Sequence, residues 1–103
     1  MKPIITRTWH GRTRAQDADR YLDYLNRSGI AGYLATPGNL SVEVWRRIEG
    51  DVCHFHTVTK WESLESIRAF AGEDIAKARY YPEDADFLLE FEEHVQHFET
   101  FVY

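Results

Sequence analysis

Leu40-Ser41-Val42-Glu43-Val44-Trp45-Arg46-Arg47-Ile48-Glu49-Gly50-Asp51-Val52-Cys53-His54-Phe55-His56-Thr57-Val58-Thr59-Lys60-Trp61 is two alternating runs joined by a turn. In the first run Leu40, Val42 and Val44 point one way, and Ser41, Glu43, Trp45 and Arg47 the other. Glu49-Gly50-Asp51 is the turn, and Val52 to Trp61 is rich in Val, Thr, Phe and His. Period-two alternation on either side of a Gly-containing turn predicts a β-hairpin. Its register depends on loop length. With a two-residue loop, Val42 and Val44 share a face with Phe55, Thr57, Thr59 and Trp61. Trp45 then shares the other face with His54, His56 and Val58. A three-residue loop swaps these groupings.

Helical spacing lies on both sides of the hairpin. After it, Ser63 is a cap, Leu64, Ile67, Phe70 and Ala71 form a stripe, and Gly72 ends the helix. Before it, Thr13-Arg14-Ala15-Gln16 matches a capping box, and Ala18, Tyr21, Leu22 and Leu25 follow at i, i+3, i+4 and i+7. This predicts a helix over 14–28 that stops at Gly29. Gly29 to Asn39, punctuated by Gly32, Pro37 and Gly38, reads as a connection. Ile4 to Arg12 has strand character. Near the end, Asp74 to Tyr80 reads as a turn, and Pro82 opens a short helix with Glu83 and Asp84 in its first turn. Phe87, Leu88 and Phe91 form the apolar side of that helix, and His94 to Tyr103 is a last strand.

The order β-α-β-β-α-(α)-β predicts an α+β, ferredoxin-like domain, βαββαβ. It implies a four-stranded antiparallel sheet with helices on one face. The other face is left bare, with large apolar or aromatic residues such as Trp45 on its strands. Such a face is costly in a monomer, so a homodimer closed sheet to sheet is expected.

At 103 residues, with no linker or internal repeat, the chain is expected to be a single domain over 1–103. It is 44% hydrophobic and 15% aromatic, too apolar for a disordered chain. Its formal net charge of −5 disfavours nucleic acid and anionic membrane as partners. The charge is uneven. Residues 1–47 hold eight Lys/Arg against four acids, and residues 48–103 hold four against thirteen. The halves either attract each other or form two solvated faces. The single Cys53 allows no internal disulfide and reads as a small buried hydrophobe. No apolar signal core opens the chain and no run reaches membrane-spanning length, so a cytoplasmic location is expected.

Several residues carry possible chemistry. His54 and His56 point to one face, a metal half-site on paper, but no third ligand follows by spacing, so no metal is expected. His94 and His97 have odd separation and face opposite ways. His10, between Trp9 and Gly11, stands near a strand end. Arg79-Tyr80-Tyr81-Pro82 is the stretch least explained by packing. Its Arg79 either binds a phenolate or carboxylate, or ties the junction to the acidic 83–93 segment. There is no phosphate loop, nucleophile elbow or paired-carboxylate signature.

Trp61-Glu62-Ser63-Leu64-Glu65-Ser66-Ile67-Arg68-Ala69-Phe70 resembles the strand-to-helix junction of the antibiotic biosynthesis monooxygenase family. The likeness runs from Ile4 to Val102. It includes Ala78-Arg79-Tyr80-Tyr81-Pro82-Glu83-Asp84, which looks like a hallmark of small, mostly uncharacterised bacterial members. The resemblance implies a dimeric α/β barrel. It implies a pocket between sheet and helices, with Trp61, Thr57 and Thr59 on its floor and Phe70 with Tyr80 or Tyr81 on its wall. The family spans cofactor-free oxygenases of polyphenols, quinol oxygenases, haem degraders and proteins with no known reaction. Many members carry a Glu two residues before the junction aromatic, where this chain has Thr59, and a His at the place of Phe70. Haem degraders of the family need an Asn on the first strand, a Trp on the second helix and a His about ten residues further on. None of the three stands here; the last two places fall at Phe70 and near Tyr80.

What the resemblance implies is a monooxygenase-like protein without a cofactor, acting on a small aromatic, polyketide or quinol-type molecule. Trp61, Phe70 and Tyr80 would form the slot, and His97 or His10 would take the phenolic proton. Thr57, Thr59, Arg79 and Tyr81 complete the candidate binding set. The alternative is a non-catalytic binder or stress-related module, favoured by the absent Glu and His. A third reading, a pure dimerisation module, requires a filled pocket.

Overall fold

The computed structural model describes residues 3–103. Strand β1 runs Ile4–Arg14, β2 Asn39–Glu49, β3 Val52–Trp61 and β4 Gln96–Thr100. They form one sheet in the order β2-β3-β1-β4, and every neighbouring pair is antiparallel. Three helices accompany it: α1 (Ala18–Arg27), α2 (Gly29–Ala35) and α3 (Leu64–Ala71). This is the expected α+β architecture. The hairpin takes the two-residue loop. Glu49 pairs with Val52 and Trp45 with His56, leaving Gly50 and Asp51 at the turn. Val44 therefore lies opposite Thr57, and Trp45 stands on the other face.

Other expectations needed correction. The first helix does not start at Thr13. That residue is buried within β1 and its hydroxyl donates to the Arg14 carbonyl. A 3-10 turn, Ala15–Asp17, precedes α1, and the buried Asp17 holds Arg14 and Arg20. The pattern Thr-x-x-Gln occurred inside a strand because Thr suits a pleated surface equally well. Nor does Gly29 end the helix with positive φ. The chain breaks at Ser28, whose hydroxyl back-bonds to the Tyr24 carbonyl, and Gly29 opens α2. The segment 29–39 is thus largely helical. Gly and Ala in Gly29-Ile30-Ala31-Gly32 let α2 pack close, and a Cβ on Gly32 would meet the Phe70 ring at 3.1 Å. The last strand is shorter than the expected 94–103, and His94 only bridges Lys77. The predicted helix at Pro82 is a 3-10 turn, Pro82–Asp86.

The third helix agrees with its sequence signals. Ser63 accepts a bond from the Ser66 amide, and Gly72 closes α3 at φ 88°, a conformation costly for any side chain with a Cβ. Its Ile67 and Phe70 are buried with Tyr33 and Trp61 in one cluster. A larger cluster joins Trp9, Tyr21, Tyr24, Leu25, Phe55 and Leu88 under α1. Cys53 is fully buried within it, and burial pushes its thiol pKa up. Arg12 on β1 grips Glu90 through both carboxylate oxygens at 2.6 and 2.7 Å. That pair joins the basic first half to the acidic second half.

Candidate functional site

On the helix-facing side of β1, alternation places Ile5, Arg7, Trp9, Gly11 and Thr13 in a row. Arg7 is the charged member of that row and is only 2% exposed. It stands under a cavity of about 30 Å³. The cavity lies between β1, β3, the helices and the 79–84 segment. Trp9, Tyr33, Phe70, Tyr80 and Tyr81 supply its rings, and Thr57, Arg79 and Asp84 complete its polar lining.

Arg7 is held sparsely. One guanidinium nitrogen donates to the Lys77 carbonyl at a long 3.3 Å, and the buried Nε has no partner. Its Cζ lies 5.7 Å from the Phe70 ring centre. Arg79 approaches the same ring at 5.1 Å and the Tyr81 ring at 5.3 Å, and donates to the Phe70 carbonyl at 2.7 Å. Two guanidinium groups thus attend one aromatic ring. Burial lowers the Arg7 pKa, and the Tyr33 hydroxyl opposes that shift. The acid of the lining, Asp84, is committed elsewhere. It accepts from the Tyr21 hydroxyl at 3.0 Å and from the Tyr81 amide at 2.6 Å, and burial raises its pKa despite both bonds.

The tyrosines are also engaged. The Tyr80 hydroxyl accepts from Trp9 Nε1 at 3.2 Å and donates to the Glu92 carbonyl at 2.7 Å. Burial raises the pKa values of Tyr21, Tyr80 and Tyr81, so these phenols stay protonated at neutral pH. They serve as donors and walls rather than as bases.

The residues singled out from sequence divide three ways. Thr57, Phe70, Arg79, Tyr80 and Tyr81 all line the cavity. Trp61 and Thr59 do not. Both are fully buried behind it, with Trp61 Nε1 donating to Thr59 Oγ1 at 2.8 Å and Thr59 donating to the Arg7 carbonyl. The junction aromatic is core because β3 carries it under α3, next to Ile67. His10 lies on the opposite face of the sheet, since an even position on β1 points away from the helices. His97 is on the helix-facing side as the direct cross-strand partner of Arg7, but it does not line the cavity. Its Nε2 is buried without a partner, and burial, helped by Arg7, lowers its pKa. Arg7, Trp9, Tyr33 and Asp84 escaped the sequence reading. The available signal was Arg7 itself, a charge at an inward position of an alternating strand.

The bare face is more polar than expected. Trp45 and Phe98 are about half exposed there, but β1 contributes Thr6, Thr8, His10 and Arg12. His10 sits at the centre of a cluster, with Nδ1 2.5 Å from Glu92 and Nε2 3.0 Å from His54 Nδ1. Its ring lies 4.8 Å from that of His56. Burial, then the charges of His10 and His54, lower the His56 pKa. Among the described residues no group of three or more His, Cys, Asp or Glu is arranged to hold a metal ion.

A scan against protein-family models finds no match, and a search of curated proteins finds no similar sequence. Solved structures do match. A candidate antibiotic biosynthesis monooxygenase from Nitrosomonas europaea superposes with a TM-score of 0.67 at 9% identity, over 97% of this chain and 92% of that one. The fold is that of the antibiotic biosynthesis monooxygenases. The haem degrader MhuD from Mycobacterium tuberculosis, solved with two haems in its active site, has the same fold. It matches with a TM-score of 0.62 at 21% identity over 98% of both chains. A conserved protein from Methanosarcina mazei Go1 matches at 0.64 and 12% identity, over 94% of this chain and 92% of that one. At these identities the likeness concerns the monooxygenase fold. The haem of MhuD does not fit the residues present here. The cavity is far below the several hundred Å³ of a site for a large ligand, Arg7 stands beneath it, and its lining contains no histidine or cysteine. No helix among the described residues is long and apolar enough to cross a membrane.

Proposed function

We propose that the protein is a homodimeric, cofactor-independent monooxygenase acting on a small aromatic or quinol-type molecule held between sheet and helices. The observation that carries this reading is the ring-walled cavity above the buried Arg7 guanidinium. Cofactor-free oxygenation needs an electron-rich substrate anion in a site that excludes water. A cation placed beforehand stabilises that anion as it forms. For a substrate methylene, loss of a proton gives the carbanion, which reduces oxygen and combines with it. The resulting hydroperoxide loses water to leave a carbonyl. One oxygen atom enters the product and the other leaves as water with the two substrate hydrogens. His97, beside Arg7 but outside the cavity lining, would take the first proton through a bridging water.

The cavity of about 30 Å³ is smaller than one ring requires, since a benzene-sized ligand occupies a space of about 150 Å³. Entry therefore needs the exposed Arg79 and its neighbour Tyr81 to swing outward. The same observation supports a second reading, a binder without catalysis, because the Tyr21 and Tyr80 hydroxyls of the lining are committed as donors. Oxygen uptake with a panel of anthrones and quinols separates them. Uptake matched by carbonyl product supports the monooxygenase. Saturable quenching of tryptophan fluorescence without uptake supports the binder, and neither response sinks both. The dimer is expected to form through the face bearing Trp45 and Phe98, and the likeness of fold supports it.

A further inference from the structure

The geometry points to an anion subsite at Arg7: the ligand of this cavity carries a carboxylate, or an equally localised negative oxygen, that pairs with the Arg7 guanidinium. This rests on the reading that the cavity admits a small molecule, and it narrows the class of that molecule to aromatic acids and phenolates.

Three independent observations carry it. First, Arg7 is 2% exposed and forms no ion pair among the described residues. A buried cation without an anion is strongly disfavoured unless something else compensates it. Second, among the described residues two buried polar side-chain atoms lack a hydrogen-bond partner, Arg7 Nε and His97 Nε2. They belong to residues directly opposite each other across the β1–β4 pair. Unsatisfied buried groups are rare, and of these two residues Arg7 is the one that lines the cavity, so its open Nε is the demand a ligand there meets. Third, Arg79 adds a second cation to the same Phe70 ring, while the one acid in the lining is occupied by Tyr21 and the Tyr81 amide. The cavity therefore presents net positive charge inside apolar walls. A planar guanidinium with open donors matches a carboxylate, and the surrounding rings match the flat body of an aromatic acid.

The test compares 4-hydroxybenzoate with its neutral isostere 4-hydroxybenzamide by titration calorimetry at pH 7, on the full chain at constant ionic strength. The expected result is at least tenfold tighter binding of the acid. Arg7→Met should abolish that preference, and circular dichroism of this variant confirms that it is folded. Arg79→Met should weaken the preference only in part. Equal binding of acid and amide by the unaltered protein overturns the anion subsite and leaves the small-molecule reading standing. Binding of neither overturns both. A preference that survives Arg7→Met but vanishes in Arg79→Met also overturns the assignment, because the anion would then sit at the mouth. The acid-versus-amide comparison needs no variant, so a misfolded Arg7→Met cannot shield the proposal.

Discussion

Replacing Arg7 by Met should make the unliganded protein more stable. The side chain is almost entirely buried, and burial of an unpaired ion carries an effective penalty of several kcal/mol. Little offsets it. The bond to the Lys77 carbonyl is long at 3.3 Å, and a net contribution of about 1 kcal/mol is generous. The approach to the Phe70 ring at 5.7 Å adds about 1–2 kcal/mol. Met preserves much of the buried stem and adapts to irregular space. The balance is a gain of about 1–3 kcal/mol, in line with other replacements of buried charges by apolar side chains. For a domain near this size each kcal/mol shifts Tm by about 4 °C, so a rise of roughly 4–12 °C is expected. Urea denaturation followed by tryptophan fluorescence measures it, with both proteins at one concentration because dimerisation makes stability concentration-dependent. A loss of more than about 1 kcal/mol would refute the reasoning. Arg7 would then be a structural strut, and its unsatisfied nitrogen would need no ligand. A gain in stability together with lost affinity for aromatic acids is the expected trade at a functional site.

Gly11→Ala should destabilise by about 1–3 kcal/mol, because the new Cβ would fall 2.4 Å from the Trp9 ring, which is tied to Tyr80 and cannot simply turn away. Denaturant midpoints measure the loss, and an unchanged midpoint would mean that Trp9 is free to move. The unaltered protein should sediment at twice its 12.1 kDa chain mass, and Phe98→Glu should return it to monomer; a monomeric unaltered protein at micromolar concentration sinks the sheet-to-sheet dimer. Mild acid should weaken the fold through its buried histidines. His56 and His97 have folded pKa values below their ordinary value, so their contribution is complete above about pH 6.5 and is lost as pH falls through the lower folded values. His97→Gln should flatten the stability profile between pH 7 and 5, and an unaltered slope would contradict the burial of His97.

The hairpin was legible because alternation is a strong signal over ten residues, and the two-residue loop then set which side chains share a face. The α3 signals were equally plain, with Ser63 at one end and Gly72 at the other. The start of α1 was not, because Thr13-x-x-Gln16 satisfies a capping box in sequence while β1 pairing claims Thr13 for the sheet. The helix α2 hid behind Gly29 and Gly32, which look like loop punctuation and serve instead as close-packing points beside Tyr81 and Phe70. Half the candidate site was visible as the Arg79-Tyr80-Tyr81 stretch. Trp61 and Thr59 looked like its floor and turned out to be core.

Periodicity and turn residues by themselves determined the strand order along the chain, the β2–β3 hairpin and the helices α1 and α3. These depend on local preferences and on a pattern that repeats every two or four residues. Only the tertiary structure decided what Arg7 does. The sequence shows a charge at an inward position, but its cost depends on whether an acid from another element meets it, and contacts across the fold settle that. Asp84 is turned to Tyr21 and the Tyr81 amide, and Glu90 is taken by Arg12. The buried guanidinium is left with a long bond to a carbonyl and the Tyr33 hydroxyl but no acid, which makes the cavity above it electropositive.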